Sequence, residues 1–394
     1  MKSVIVVGAG IWGASLALRL AENGWRVTLV EQHTPGHLRQ ASAGETRLMR
    51  CAHGTDDFYA RMAWRARDGW RRLSERAGEE LYHEAGMMWF ARTPDGWEHQ
   101  SAQVMKNLDI PGEVLDPADG ARFFPEFRGD DLSFLLWEPH AGVIRARRAT
   151  QVTAALAQAA GARLVRGRAV PAPDVQAGST AGSMAGSMAG SMAKSTGGSA
   201  GVQVGGEVLT ADRVVWACGA WLPELFDVPL TVTKQDTLHF AVPAEWSTPG
   251  TPAWVDHGAA VYGHGDVDGV GMKATSDAEG RPYEPEHGER TVDEAGVANA
   301  RAYLARRFPS LVSAPVLFSQ VCQYALTPDA EWIIAETSPG VWLLGGDSGH
   351  GFKHAPALAE YVAGVLDGDH EPEARFGLHE RIPARGLRTS GGQE

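Results

Sequence analysis

The sequence predicts an α/β fold in which a Rossmann-like domain is interleaved with an antiparallel-sheet α+β domain. Three observations support this prediction. A β-α-β pattern with a glycine-rich turn opens the chain at residues 4–31. Apolar runs typical of buried strands recur at 213–216 and 342–344. The region 231–275 between them alternates in the manner of an antiparallel sheet, so segments of the first domain are separated by segments of the second.

The opening segment carries a dinucleotide-binding fingerprint. An apolar strand leads directly into G-x-G-x-x-G, formed by Gly8, Gly10 and Gly13, and a helical pattern and a second strand follow. In this motif the first glycine permits a tight turn, the second lets the backbone approach a pyrophosphate, and the third lets the helix pack closely on the strand. The helix N-terminus attracts the phosphates. Glu31, at the end of the second strand, would accept a hydrogen bond from a ribose hydroxyl and disfavours NADP, but FAD and NAD both remain open.

Composition and charge narrow the class of protein. The 394 residues are enough for two domains, and the net charge of −12 argues against nucleic acid or an anionic membrane as a partner. No apolar run approaches the ~20 residues of a membrane-spanning helix. The first strand is used at once in the fingerprint, so no cleaved leader is expected. Cys51, Cys218 and Cys322 are too few and too scattered for a disulfide framework or a metal cluster, so we expect no metal and a cytoplasmic location.

Helical patterns and one low-complexity segment complete the organisation. Apolar residues at helical spacing predict helices over 58–77, 148–160 and 293–307. A fourth helix is expected from near Pro356, since proline suits a first turn, to near Gly368. Residues 176–201 repeat Ala-Gly-Ser-Met three times. Small residues bury too little apolar area to offset the entropy of ordering them, so we expect a mobile surface loop at the tip of a hairpin.

Several separated motifs resemble one protein family. They are the fingerprint, G-E-T-R-L-M-R at 44–50, a strand ending in G-A-W at 219–221, V-C-Q-Y at 321–324 and S-G-H-G-F-K at 348–353. Together they make the chain similar, over nearly its whole length, to the monomeric sarcosine oxidase and N-methyltryptophan oxidase group of FAD-dependent amine oxidases.

This resemblance, with the alternation of segment types, predicts the domain boundaries. We expect a Rossmann-like FAD-binding domain formed by residues 1–80, 142–230 and 316–394. The antiparallel-sheet substrate domain would comprise residues 81–141 and 231–315. The expected partners are a small amine or amino-acid substrate and molecular oxygen.

The resemblance also implies which residues hold FAD. Cys322 stands where the family binds the flavin 8α carbon as a thioether, which raises the flavin's potential and prevents its loss. The glycine turn 345–351 precedes a helix, whose N-terminus would stabilise the negative charge that accumulates at the flavin N1/C2=O edge on reduction. Beyond the fingerprint residues, the expected cofactor contacts are Thr46, Gly219, Cys322, Gly346, Gly349 and Gly351.

A second group of residues is expected to bind the substrate. Arg50 and Lys353 stand where the family holds the substrate carboxylate, and two cations inside glycine-rich motifs are unusual in an acidic chain. Tyr262 stands at a pocket-lining position, and Trp254, shortly before it, is expected to line the same pocket.

The expected catalytic residues are Lys273, Arg47 and Tyr324. Lys273 matches the family's lysine beside the flavin, where a cation stabilises the superoxide formed as oxygen is reduced. Arg47 lies in the flavin-proximal loop and Tyr324 at a pocket-lining position.

Two departures from the family pattern touch this site. Asp277 stands four residues after Lys273, where the family has a histidine. Ser42 and Ala43 replace a histidine pair in the loop before G-E-T-R. Both changes argue against sarcosine itself as the substrate and leave the flavin chemistry in place.

The predicted function is an FAD-dependent oxidase of a secondary or cyclic amino acid, in which hydride passes to flavin N5, an imine forms, and oxygen is reduced to hydrogen peroxide. A dehydrogenase with another electron acceptor, a monooxygenase and a non-catalytic flavin-binding protein are the alternatives. No second nucleotide fingerprint is apparent, which disfavours the monooxygenase. Arg50, Lys353 and Cys322 argue against the non-catalytic protein.

Overall fold

A computed structural model describes residues 1–172 and 200–383. Twenty strands occur in these residues. They are β1 (Ser3–Val7), β2 (Arg26–Glu31), β3 (Thr46–Met49), β4 (Tyr82–His83), β5 (Met87–Ala91), β6 (Glu113–Leu115), β7 (Phe134–Glu138), β8 (Gly142–Arg145), β9 (Arg163–Arg166), β10 (Ala169–Pro171), β11 (Ala200–Val204), β12 (Glu207–Ala211), β13 (Arg213–Trp216), β14 (Thr231–Phe240), β15 (Ala253–Asp256), β16 (Val261–His264), β17 (Met272–Ser276), β18 (Val316–Leu326), β19 (Ile333–Ser338) and β20 (Val341–Gly345).

Seven α-helices occur in the same residues. They are α1 (Ile11–Glu22), α2 (Asp57–Ala77), α3 (Trp97–Asn107), α4 (Ala146–Ala159), α5 (Leu222–Leu225), α6 (Glu294–Arg307) and α7 (Ala355–Asp367). The three helices predicted from apolar spacing are confirmed as α2, α4 and α6, and the helix predicted from Pro356 to Gly368 is confirmed as α7. Asp56 caps α2 by accepting a hydrogen bond from the Tyr59 backbone N–H, and left-handed glycines end α2 at Gly78 and α7 at Gly368.

A six-stranded sheet forms the Rossmann-like domain. Its order is β19-β20-β13-β1-β2-β9, with parallel pairing from β20 to β9 and β19 antiparallel at one edge. β1 is buried along its whole length because sheet and helix layers cover both of its faces. Helix α1 packs against α4 and α7, and these helices supply much of the apolar core on that side.

An eight-stranded sheet, ordered β18-β14-β17-β16-β15-β5-β7-β6, forms the second layer. Its pairing is antiparallel except between β15 and β5. Helix α6 packs against β14 and β17 over an apolar core. The expected boundary at residue 316 is wrong for β18, since that strand pairs with β14 over the full length of β14. Sequence patterns do not reveal such a long-range partner.

The hairpin expected around the low-complexity segment is present, because β10 pairs antiparallel with β11. Residues 176–199 of that segment lie outside the described residues. Its last two residues, Ala200 and Gly201, do not belong to a loop, since they begin β11 and pair with β12.

Among the residues that the structure describes, no helix combines the length and the apolar character needed to cross a lipid bilayer.

Candidate active site

The glycine fingerprint has the geometry that its spacing predicts. Gly8 has φ +103°, and a Cβ there would lie 2.4 Å from the Ala217 carbonyl oxygen. A Cβ on Gly13 would lie 1.9 Å from the Gly8 carbonyl oxygen. The β1 end, the turn and α1 therefore approach one another more closely than any side chain allows.

This turn opens onto a cavity, called here the dinucleotide cavity. Six of the expected cofactor residues line it: Gly8, Gly10, Glu31, Gly219, Gly346 and Gly349. Gly219 and Gly346 have φ values of +53° and +68°, which favour glycine. The cavity lies at the carboxyl ends of parallel strands, where ligands of such sheets bind.

Glu31 is held in place by backbone amides. Its Oε2 accepts from the Ala9 N–H and its Oε1 from the His33 N–H, each at 2.8 Å. Burial raises the pKa of this carboxyl, and the two hydrogen bonds oppose the rise. A carboxylate has about four acceptor positions, so capacity remains for a ribose hydroxyl.

Two expected cofactor contacts are corrected by the structure. Thr46 points away from the dinucleotide cavity, and its Oγ1 lies 2.7 Å from His264 Nε2, because side chains alternate along β3 and Arg47 takes the cavity side. Gly351 packs behind the wall, where a Cβ would lie 2.3 Å from the Trp12 ring and its carbonyl accepts from Trp12 Nε1. Gly13 likewise supports the turn and does not line the cavity.

Cys322 lies just behind the cavity wall. Arg47 Nη2 donates to its Sγ at 3.0 Å, and Sγ lies 3.6 Å from the Ala41 carbonyl oxygen. Arg47, Ala41 and Tyr324 all line the dinucleotide cavity. The contact with Arg47, which lines the cavity, therefore places the thiol next to the cavity.

A second cavity adjoins the first. Four residues line both cavities: Arg47, Tyr324, Gly349 and Phe352. The other lining residues of the second cavity are Leu48, Arg50, Trp89, Trp97, Val255, His257, Tyr262, Asp277, His350 and Lys353. Aromatic rings thus surround a few charged groups, as in many small-molecule sites.

Arg50 and Lys353 meet in this second cavity although 303 positions separate them in the sequence. Arg50 is 6% exposed, donates to the Ala52 carbonyl and lies 5.2 Å over the Trp89 ring. Lys353 is 3% exposed, and its Nζ donates to the His350 carbonyl at 2.7 Å. Arg50 and Lys353 thus bring two buried cations to one cavity, and charge-assisted hydrogen bonds from such groups favour an anionic ligand.

Trp254 does not line the second cavity, which corrects the prediction. It is fully buried and stacks with Phe90 at 6.0 Å and with Tyr303 at 5.3 Å in the core beneath α6. Val255, the next residue, lines the cavity instead, because successive side chains of β15 point to opposite faces.

Lys273 lies behind the wall of the second cavity. Its Nζ is 4.8 Å from the centre of the Tyr262 ring, and its partners in the sheet are His239 and His264. Burial lowers the pKa of Lys273 to about 7, and the nearby Arg47 charge acts in the same direction. The side chain therefore changes charge near neutral pH.

The two departures from the family pattern also lie at the cavities. Asp277 lines the second cavity, and the Tyr324 hydroxyl donates to its Oδ1 at 3.1 Å. Ser42 lines the dinucleotide cavity, where its Oγ accepts from the Ile11 N–H at the start of α1. Ala43 is buried, and its carbonyl accepts from Arg147 Nε.

Sequence reasoning missed the aromatic walls of the second cavity. Trp89 and Trp97 come from β5 and the start of α3, and Phe352 from the turn before α7. Phe352 lies in the S-G-H-G-F-K motif at 348–353, so the sequence marks it as a candidate site residue. Nothing local marked the two tryptophans, because tryptophan is usual in apolar cores.

The chain belongs to the family of FAD-dependent oxidoreductases described as DAO, whose model matches residues 3–365. It is 28% identical over 375 residues to monomeric sarcosine oxidase of Streptomyces avermitilis, covering 91% of this chain and 92% of that protein. It is 25% identical over 387 residues to N-methyl-L-tryptophan oxidase of Yersinia pestis, covering 91% and 93%. The family resemblance seen in the sequence is thus confirmed, and the protein is an FAD-dependent oxidoreductase.

Solved structures agree on the fold. L-proline dehydrogenase from P. horikoshii matches with a TM-score of 0.79 at 19% identity, over 93% of this chain and 94% of that chain. NikD, described as an unusual amino acid oxidase, matches with a TM-score of 0.75 at 22% identity, over 98% and 100%. The expected α/β fold class is confirmed.

Proposed function

We propose that the protein is an FAD-dependent oxidase of secondary or cyclic amino acids. The observation that carries this proposal is the shared wall between the two cavities. Arg47, Tyr324, Gly349 and Phe352 line both, so a flavin in one cavity faces a substrate in the other. The names of the two sequence relatives support a secondary amine as the reacting group.

The dinucleotide cavity suits FAD. Gly10, just before α1, presents no side chain to it, which leaves room for the pyrophosphate at the start of that helix, and Glu31 has acceptor capacity for a ribose. When bound there, FAD would supply two-electron oxidation of the carbon beside the substrate nitrogen, with dioxygen as the final acceptor.

The second cavity orients the substrate. Arg50 and Lys353 would hold the carboxylate, since charged hydrogen bonds to two donors fix its direction. Tyr262 and Tyr324 would line the part of the cavity that holds the substrate's nitrogen. The ring of Phe352 would exclude water from the boundary between the two cavities. Such positioning in a dry site supplies much of the catalysis.

Anaerobic reduction of the bound flavin tests this proposal. N-methylated and cyclic amino acids should bleach the holoenzyme, and matched amines without a carboxylate should do so poorly. Rapid recovery of the colour in air, with one hydrogen peroxide per turnover, supports an oxidase. Slow recovery in air supports the dehydrogenase instead, and bleaching by NADPH without an amine supports the monooxygenase.

We propose that Cys322 carries the flavin covalently. Its thiol accepts a hydrogen bond from Arg47, which lines the dinucleotide cavity, so the sulfur would be within reach of a flavin held there. Acid precipitation of the parent protein should leave the yellow colour in the pellet. The Cys322→Ser protein should release it, whereas Cys218→Ser, at a half-buried cysteine that lines the cavity, should not. A yellow Cys322→Ser pellet contradicts the assignment.

Lys273 is proposed to assist the reaction with oxygen. A buried ammonium stabilises superoxide, and burial holds the pKa of Lys273 at about 7. The cation is present below that pH and is lost above it, so flavin reoxidation should slow as the pH rises through 7. In Lys273→Met, reoxidation should be at least about tenfold slower and independent of pH in this range, with anaerobic reduction unchanged. Equal reoxidation rates in variant and parent would exclude this role.

A further inference from the structure

The second cavity contains a carboxylate at its boundary with the dinucleotide cavity. Asp277 directly follows β17, and its backbone N–H donates to the Ala260 carbonyl at 2.7 Å. Tyr324, which lines both cavities, donates its hydroxyl to Asp277 Oδ1 at 3.1 Å. Within the described residues, Asp277 is the only acid among those lining this cavity. The second cavity therefore has one acidic side chain in its lining, hydrogen-bonded to a residue that also lines the dinucleotide cavity.

The cavity also presents the opposite charge. Arg47, Arg50 and Lys353 line it, and Arg50 and Lys353 are buried. An amino acid at neutral pH carries a carboxylate and an ammonium group, so it can interact favourably with groups of both signs. A simple carboxylate interacts favourably only with the cations, and a simple amine only with Asp277. Complementarity of this kind selects ligands by charge pattern.

We propose that Asp277 receives the substrate's ammonium group, so that the site binds amino acids as zwitterions. The inference rests on the proposed function and adds the contact for the nitrogen. The ring of Tyr262, which lines the same cavity, offers a further favourable surface for a cation. The hydrogen bond from the Tyr324 hydroxyl fixes the orientation of the Asp277 carboxylate, since it restricts rotation of that side chain.

This contact has a consequence for pH. A carboxylate stabilises the protonated amine and raises the pKa of the bound ammonium group. The amine must lose that proton before its lone pair can form the imine. Flavin reduction should therefore rise with pH, and removing the carboxylate should move the rise to lower pH. The charged and titratable groups around this position are Arg47, Arg50, His257, Tyr262, Lys273, Tyr324, His350 and Lys353.

The test uses Asp277→Asn in the holoenzyme, because asparagine keeps an acceptor for Tyr324 and removes only the charge. Two isosteric probes are titrated against the visible spectrum of the bound flavin: trimethylglycine, and 3,3-dimethylbutanoate, in which carbon replaces the charged nitrogen. Asp277→Asn should bind trimethylglycine about tenfold more weakly and 3,3-dimethylbutanoate as well as the parent does. Equal losses for both probes, or no loss for either, would overturn the inference.

A second readout is the rate of anaerobic flavin reduction by a substrate as a function of pH. The pH range over which this rate rises should be lower for Asp277→Asn than for the parent protein. The same pH range in both proteins argues against the ammonium contact. Asp268→Asn is the matched control, since Asp268 is an exposed acid between β16 and β17 whose φ of +62° suits asparagine. If no amino acid reduces the parent flavin, the proposed function itself fails; if one does and Asp277→Asn behaves as the parent, only this inference fails.

Discussion

Replacing Lys353 with methionine is expected to weaken the binding of carboxylate ligands by about tenfold to a hundredfold while FAD stays bound. A charged hydrogen bond contributes ~1.5–3 kcal/mol, and Lys353 is a buried cation lining the second cavity. Methionine has a similar length and no charge, so the cavity keeps its shape. Titration of the flavin spectrum with a simple carboxylate measures the change, and absorbance against total protein measures FAD content.

Two comparisons make this result specific. Lys106→Met, at an exposed lysine of α3, removes the same charge far from the cavities and should bind carboxylates as the parent does. Amines without a carboxylate should be poor substrates, and the Lys353→Met change should hardly alter their turnover. If such an amine is the best substrate of the parent, the protein does not act on amino acids, although it remains an FAD-dependent oxidoreductase.

Replacing Gly13 with valine is expected to abolish FAD binding. The Cβ alone would lie 1.9 Å from the Gly8 carbonyl oxygen, and that atom belongs to the turn and cannot rotate away as a side chain could. Helix α1 must then move from β1, which separates its N-terminal N–H groups from the pyrophosphate position. We expect a colourless protein with a lower Tm, measured by flavin absorbance and by thermal unfolding in circular dichroism.

The control for this change is Gly206→Ala, in the turn between β11 and β12, where a Cβ would meet no atom within 4 Å. It should keep both FAD and thermal stability. A yellow Gly13→Val protein with the parent's FAD content would show that the close packing of α1 on β1 is not needed for the cofactor.

The sequence by itself determined the local parts of this protein. G-x-G-x-x-G between a strand and a helix requires glycine at Gly8 and Gly13 for steric reasons, and the structure has both in the predicted geometry. Apolar spacing predicted helices such as α2 and α4 because a helix repeats its buried face every 3.6 residues. These features depend on neighbours a few residues away, so they can be inferred from one chain.

Only the tertiary structure decided which side chains meet. Arg50 and Lys353 reach the same cavity from distant segments, whereas Trp254 and Thr46 point away from the cavities they were expected to line. β18 pairs with β14 and brings Tyr324 against Asp277. A strand has two faces, and which face is buried under which layer depends on pairing across the whole chain. Local sequence patterns predict that a strand forms, but the face that meets the cofactor is settled by long-range packing.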